Sequence, residues 1–295
     1  MKTIKNNTML RIAVQAKGRL YEETMTMLAE SSIKIDAAKR TLLVPAKNFP
    51  VEILYLRDDD IPQAVAGGTA DVGIVGENEF EERQEDAQII KRLDFSKCRL
   101  SIAIPERNLE EYNKLGNKWL NGKKIATSYP GILKRFLEKN GLKADIHVIT
   151  GSVEIAPGIG LADCIFDIVS SGATLVSNNL KEVEVVMKSE AVLIANKNIS
   201  AEKQEILNEI LFRFDSYKNA EGKKYIVLNI PNEKISEATT LLPGMKAPTI
   251  TRLETEGWSS MASVVPEKDF WDIIGKLKQL GAESILVMPI EKMIL

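Results

Sequence analysis

The feature that most restricts how this chain can fold is a segment that recurs at a fixed offset. Asp60 aligns with Ser152, Gly68 with Gly160, and Ala70-Asp71 with Ala162-Asp163, all ninety-two positions apart and without a gap. Each copy joins a residue type that caps helices to a downstream glycine, then enters an apolar strand, Val72–Val75 in one and Ile165–Val169 in the other. Caps and glycines also recur by convergence, because turns favour them. Read as a duplication, the match predicts two similar lobes with a ligand cleft between them.

The wider pattern agrees with an α/β architecture. Leu10–Ala16 reads as a buried strand, Lys17-Gly18-Arg19 as a turn, and Leu20 to Glu30 as a helix. Val51–Arg57, Val72–Val75, Lys124–Thr127 and Val192–Ala195 read as further strands, the last returning to the first lobe. Between them lie a helix capped by Asp60 and one from Pro130 to Asn140, closed by Gly141. Strands alternating with helices imply mostly parallel sheets. With 295 residues, two or three domains are expected. The spans assigned are residues 1–105 with about 192–218 for the first lobe, and 106–191 for the second.

Beyond the polar linker Asn219–Lys224 the pattern changes. Strand Tyr225–Ile230, helix Glu233–Leu242, strands Thr249–Leu253 and Ser260–Val265, helix Asp269–Leu280 and strand Ser284–Met288 follow in turn. That βαββαβ order predicts a ferredoxin-like module over 225–295.

Composition removes several functional classes. The 39 Lys and Arg against 41 Asp and Glu give a net charge of −2, without the basic excess of a general nucleic-acid binder. An anionic ligand must therefore be held by local charge. Two cysteines without CxxC spacing and a single histidine, His147, supply neither a zinc site nor an obvious Ser-His-Asp triad. His147 reads as structural. Met1–Met9 is polar and lacks the apolar core of an export signal, and no apolar run is long enough to span a bilayer. A cytoplasmic protein, with neither membrane nor nucleic acid as partner, is the expectation.

Chemistry concentrates where Asp167-Ile168-Val169 runs into Ser170-Ser171-Gly172-Ala173-Thr174. A phosphate needs backbone N–H groups and hydroxyl donors without bulk, and glycine permits close approach. Asp167 stands at the strand end where ligands bind in open α/β sheets, placed to accept from ribose hydroxyls or approach a magnesium ion. An ordinary strand-to-helix turn has the same composition. Lys17 and Arg19 flank Gly18 at another such junction, as a grip for pyrophosphate or as a solvated basic turn. Tyr129 precedes a helix, where its ring would stack on a base or lie on the lobe surface. Arg99 faces either cleft or solvent. The charged run Glu77–Asp86 reads as a solvated helix or loop.

The run Glu154, Gly160, Ala162, Ile165, Asp167, Ile168, Ser171, Gly172, Thr174, Leu175 resembles, in spacing, the signature of ATP phosphoribosyltransferases. So do Lys17-Gly18-Arg19-Leu20, Arg57-Asp58-Asp59-Asp60-Ile61-Pro62, Asp71 to Asn78, Arg92-Leu93-Asp94-Phe95, Cys98-Arg99-Leu100 and Ala126 to Pro130. Leu242-Pro243-Gly244 and Pro248-Thr249 resemble the extra C-terminal domain of the family's long form. The resemblance implies two periplasmic-binding-protein-like lobes with a central cleft. It implies an enzyme that joins ATP to phosphoribosyl pyrophosphate with magnesium, opening histidine biosynthesis and inhibited by histidine. It places Glu154, Asp167, Ser170, Ser171, Gly172, Ala173 and Thr174 at phosphoribosyl pyrophosphate, and Lys17, Arg19, Arg99 and Tyr129 around ATP and the leaving pyrophosphate, with Asp167, Arg19 and Lys17 as the catalytic set. Thr249 and Ala282 are the candidate effector contacts, and dimers or hexamers the expected assembly. The alternative is a two-lobed solute-binding or ligand-sensing protein without catalysis.

Overall fold

The computed structural model describes residues 8–36 and 41–295. Most of the Met1–Met9 stretch, read above as lacking an export signal, lies outside the described residues. Among them, no helix is long and apolar enough to cross a membrane.

The chain divides into two units, Met1–Thr26 with Ile33–Leu207, and Met27–Ser32 with Asn208–Leu295. The first contains two sheets. Its elements begin β1 Leu10–Gln15, α1 from Arg19 (ending at Glu30), β2 Leu43–Pro45, β3 Val51–Leu56, α2 Ile61–Ala66, β4 Val72–Gly76, α3 Glu77–Arg83 and β5 Ala87–Arg92. They continue with β6 Cys98–Pro105, α4 Leu109–Leu115, β7 Lys124–Thr127, α5 Pro130–Lys139, β8 Asp145–Val148, β9 Cys164–Val169, α6 Ala173–Ser177, β10 Leu180–Ser189 and β11 Ala191–Asn196.

Six strands form one sheet in the order β2-β3-β1-β4-β11-β5, parallel through β3, β1 and β4. Five form the other, β10-β6-β9-β7-β8, parallel through β9, β7 and β8. The chain passes between lobes twice, after β5 and before β11. β6 pairs with β9 and β10, so Cys98–Pro105 belongs to the second lobe, not to the first as the 1–105 span had it. Its apolar alternation, Leu100, Ile102 and Ile104, is met by Phe166 of the same sheet.

The duplicated unit has one geometry in both lobes. Gly68 and Gly160 take φ of +75° and +74°, a left-handed turn that glycine enters without a Cβ penalty. Ala70 N–H bonds the carbonyl of Ala64, and Ala162 N–H that of Ala156. The Asp71 carboxylate receives the Arg11 N–H at the start of β1, and that of Asp163 receives the Lys124 N–H at the start of β7, each at 2.8 Å. The offset thus preserves how a turn is tied to the neighbouring parallel strand. The predicted caps differ: neither Asp60 nor Ser152 makes a side-chain cap bond, and the second copy opens on a short 3-10 turn.

The lobe cores are apolar on both faces of their sheets. Gly73 of β4 is required because a Cβ there would lie 2.6 Å from Ile61 and 2.9 Å from Val65, so α2 packs directly on backbone. Each fully buried Ile or Leu, such as Ile61, Ile102 or Leu133, contributes about 1.5–3 kcal/mol of transfer free energy.

The helix α7 spans Ala201–Ala220 and β12 starts at Lys223, so only Glu221-Gly222 separates them, less than the linker expected. A twenty-residue helix is about 30 Å long and serves more than one module: its residues from Asn208 fall in the second unit, as does Met27–Ser32. There β12 Lys223–Pro231, α8 Ile235–Leu241, β13 Thr249–Arg252, β14 Trp258–Pro266, α9 Phe270–Gln279 and β15 Glu283–Pro289 form one antiparallel sheet, β13-β14-β12-β15. The two helices pack on a core of Ile226, Leu228, Ile230, Met261 and Leu277. This is the ferredoxin-like arrangement that the βαββαβ order predicts.

Candidate active site

The site forms where β9 ends. Gly172 adopts φ +81°, turning the chain from the strand into α6 and leaving the Ser171, Gly172 and Thr174 backbone along a concavity of about 290 Å³. Glu154, Asp167 and Ser170 line the same concavity. Ser170, Ser171, Ala173 and Thr174 are exposed, as ligand donors must be. The family resemblance groups these seven residues, and six of them, all but Ala173, line this one concavity.

Asp167 is mostly withdrawn from solvent. Burial, opposed by the Ile168 backbone N–H and reinforced by the Glu154 charge, raises its carboxyl to about 6. It therefore sits close to the boundary between acceptor and donor near neutral pH, a property concentrated at functional sites.

Arg19 reaches this loop from the other lobe. Its guanidinium donates to the Ser170 hydroxyl at 3.3 Å and the Lys97 carbonyl at 3.1 Å. The turn before α1 makes this possible through Gly18, at φ +95°. Lys17 is exposed beside it. Arg19 is exposed and pairs with Glu23 at 3.5 Å, and its contact with Ser170 links two chain segments 151 residues apart.

Arg99 lies at the loop and lines the adjoining cavity of about 500 Å³, with its guanidinium engaged by protein groups. It grips Glu182 through Nε and Nη2, at 2.5 and 2.6 Å, and donates from Nη1 to the Ser170 carbonyl at 3.0 Å. The hydrogen bond from Arg99 holds the Glu182 carboxyl below its ordinary value. Tyr129 is also reassigned. It is 7% exposed, so its ring offers no open stacking face. Its hydroxyl donates to Glu79 at 2.8 Å and accepts from Asn78 at 3.1 Å. Burial and the Glu79 charge push this phenol far up, so it remains protonated.

The run Glu77–Asp86 is not a solvated segment. Glu77 and Asn78 are buried, and Asn78 exchanges hydrogen bonds with Ser189. The Glu82 carboxylate accepts the Gly131 and Ile132 N–H groups, at 2.7 and 2.8 Å, capping α5 of the other lobe. Charge content alone concealed this, because the acceptors' partners lie some fifty residues away. A second cavity of about 500 Å³ adjoins the loop at the two lobe crossings, with Arg92, Lys97, Lys188, Glu77 and Glu190 among its lining residues. Arg92 is paired with Glu77. Of the cavity's lining residues, Arg99 and Ser170 are site candidates from the sequence, Arg92 stands in a family-like motif without a role, and Lys97, Lys188 and Glu190 carry no signal.

Outside the site, His147 lies within β8, half-buried, as expected of a structural residue. Thr249 is exposed at the start of edge strand β13. Ala282 is 1% exposed, with its methyl in the core of the C-terminal module and its N–H bonded to Leu277. Its side chain therefore cannot contact an effector. Cys164 is buried with its thiol raised to about 12, and so is inert. Among the described residues no three acidic, histidine or cysteine side chains converge as a metal cage.

A glycine-centred hydroxyl loop at a strand end, with a half-buried carboxylate behind it and an arginine from the opposing lobe, defines a two-lobed α/β protein with a polar site where the lobes meet. The family model for ATP phosphoribosyltransferase matches residues 57–216, and that for the HisG C-terminal domain residues 220–292. ATP phosphoribosyltransferases of Phocaeicola vulgatus and Bacteroides fragilis are each 68% identical over 97% of this chain and 100% of their own. That of Cytophaga hutchinsonii is 55% identical over 98% of this chain and 99% of its own. The solved ATP phosphoribosyl transferase (HisG:HisZ) complex from Thermotoga maritima superposes with a TM-score of 0.59 at 28% identity, covering 70% of this chain and 96% of that one. The chain belongs to the ATP phosphoribosyltransferase family.

Proposed function

We propose that this chain joins ATP to phosphoribosyl pyrophosphate, giving phosphoribosyl-ATP and pyrophosphate, the first step of histidine biosynthesis. The solute-binding alternative is not favoured, since the relatives match over their full length and are transferases by name. The observation that carries the reading is the meeting of Arg19 with the Asp167–Thr174 loop.

The adenine N1 lone pair attacks ribose C1 as the bond from C1 to the pyrophosphate oxygen breaks, and the bonding pair leaves with pyrophosphate. N1 is unprotonated near neutral pH, so no strong base is required. The tasks are alignment and stabilisation of separating charge. Ser170, Ser171, Gly172, Ala173 and Thr174 hold the 5-phosphate, and Asp167 and Glu154 accept from the ribose hydroxyls. Arg19 and Lys17 stand over the departing pyrophosphate, and Lys188 lines the adjoining cavity assigned to the ATP phosphates. Arg99 and Tyr129 support the site from beneath.

Magnesium is read as carried on the substrates' phosphates, as is usual for this ion. The C-terminal module is the proposed site of histidine inhibition, with Thr249 as the contact that remains accessible. Assembly as dimers or hexamers and a cytoplasmic location complete the reading. Pyrophosphate release that requires both ATP and phosphoribosyl pyrophosphate tests it; ligand binding without release would defeat it.

A further inference from the structure

Arg99, Ser101 and Ala103 alternate along β6 and share one face of the five-stranded sheet. Glu182 of β10 lies opposite Ala103. Its Oε1 accepts from Arg99 Nε at 2.5 Å and the Ser101 hydroxyl at 2.6 Å, while Oε2 accepts from Arg99 Nη2 at 2.6 Å. Both oxygens accept within the sheet, so Glu182 is held by β6. The remaining arm of the guanidinium donates to the Ser170 carbonyl at 3.0 Å. Across the sheet, Arg99 is in register with Val169, the last residue of β9, and Ser101 with Asp167.

A guanidinium held on a fork by a carboxylate is fixed in orientation, because the two parallel bonds permit one plane. Without Glu182, Arg99 would be free to swing towards any phosphate in the cleft and would release Ser170. The carbonyl of Ser170 precedes the peptide N–H of Ser171, so its orientation sets how the loop enters the turn at Gly172.

We infer that Glu182 is a positioning residue for the loop, acting through Arg99 on the Ser170 carbonyl. Its effect on catalysis rests on the reading of that loop as the phosphoribosyl pyrophosphate site. The Arg99 charge is matched in advance, which leaves the triphosphate to other cations.

Glu182→Gln keeps the shape and removes the charge. In that variant the KM for phosphoribosyl pyrophosphate should rise about tenfold while the KM for ATP moves less than about twofold. Hydrogen exchange over 169–175 should accelerate in the ligand-free protein. Glu182→Asp, with its charge intact, should restore part of both. Glu182→Gln placed on Arg99→Ala should add little, since the two act as one unit. Unchanged exchange, equal rises in both KM values, or additive effects would overturn the inference. Faster exchange with an unchanged phosphoribosyl pyrophosphate KM would support the positioning and defeat the reading of the loop, which Gly172→Asp tests separately.

Discussion

Arg19 donates a hydrogen bond to the Ser170 hydroxyl at 3.3 Å, joining the turn after β1 in one lobe to the turn after β9 in the other. The turn after β9 follows the duplicated strand whose counterpart is β4, so Arg19, which follows β1, meets it from a non-corresponding position of the other lobe.

Removing that cation should be costly. Arg19→Ala should reduce kcat/KM by about ten- to a hundredfold through loss of a charge-assisted contact, whereas Arg83→Ala should change it less than about threefold. Arg83 is exposed and pairs with Asp59 at 3.3 Å. Equal, small losses in steady-state kinetics would return Arg19 to a surface role.

The loop itself can be tested at Gly172. Its φ of +81° suits glycine, and an aspartate there adds strain and a negative charge facing the phosphate. Gly172→Asp should lower kcat/KM for phosphoribosyl pyrophosphate at least about a hundredfold while the circular dichroism spectrum persists. Thr174→Val should show a smaller loss from the missing hydroxyl. Full activity in a folded Gly172→Asp protein would remove the loop from the site.

Asp167 predicts two pH dependences. If its ionised form receives the ribose hydroxyls, kcat/KM should rise about tenfold per pH unit up to about 6 and then level, and Asp167→Asn should flatten that limb. Stability runs the other way. The folded protein retains a proton that the unfolded chain, near 3.8, releases, so stability falls as pH rises between 3.8 and about 6. Asp167→Asn should therefore be about 1–3 kcal/mol more stable than the parent at pH 8, an advantage absent below about pH 4. Urea denaturation at the two pH values measures it.

Glu82 caps α5 from α3, so Glu82→Ala leaves the Gly131 and Ile132 N–H groups without that acceptor. A loss of about 1–2 kcal/mol is expected, seen as a fall of about 2–4 °C in Tm. An unchanged Tm would show that water replaces the carboxylate at no cost.

The C-terminal module should carry the histidine response. A chain ending at Ala220 should lose the heat of histidine binding in calorimetry, and the full chain should bind histidine more weakly when substrates are present if they favour the active state. Histidine inhibition surviving the truncation would place the effector site elsewhere.

Much of this was legible in local patterns. The βαββαβ order, the two-lobe plan, the return of Ala191–Asn196 to the first sheet and the grouping of Asp167 with Thr174 follow from periodicity, turn chemistry and spacing, whereas Glu154 enters only through the family resemblance. The β6 strand was misplaced because an apolar strand does not state which sheet it joins. Tyr129 and Ala282 were misread for a related reason: position before a helix, or after a turn, says nothing about what packs over a side chain.

The amino-acid sequence by itself determined the strands, the left-handed glycine turns and the hydroxyl loop, because these depend on residues within a few positions of one another. Only the tertiary structure decided which charges are committed. Arg99 to Glu182, Glu82 to α5 and Tyr129 to Glu79 join residues between forty-nine and eighty-three positions apart. A carboxylate reads the same in sequence whether it faces water or a distant helix; long-range packing supplies the partner, and with it the function.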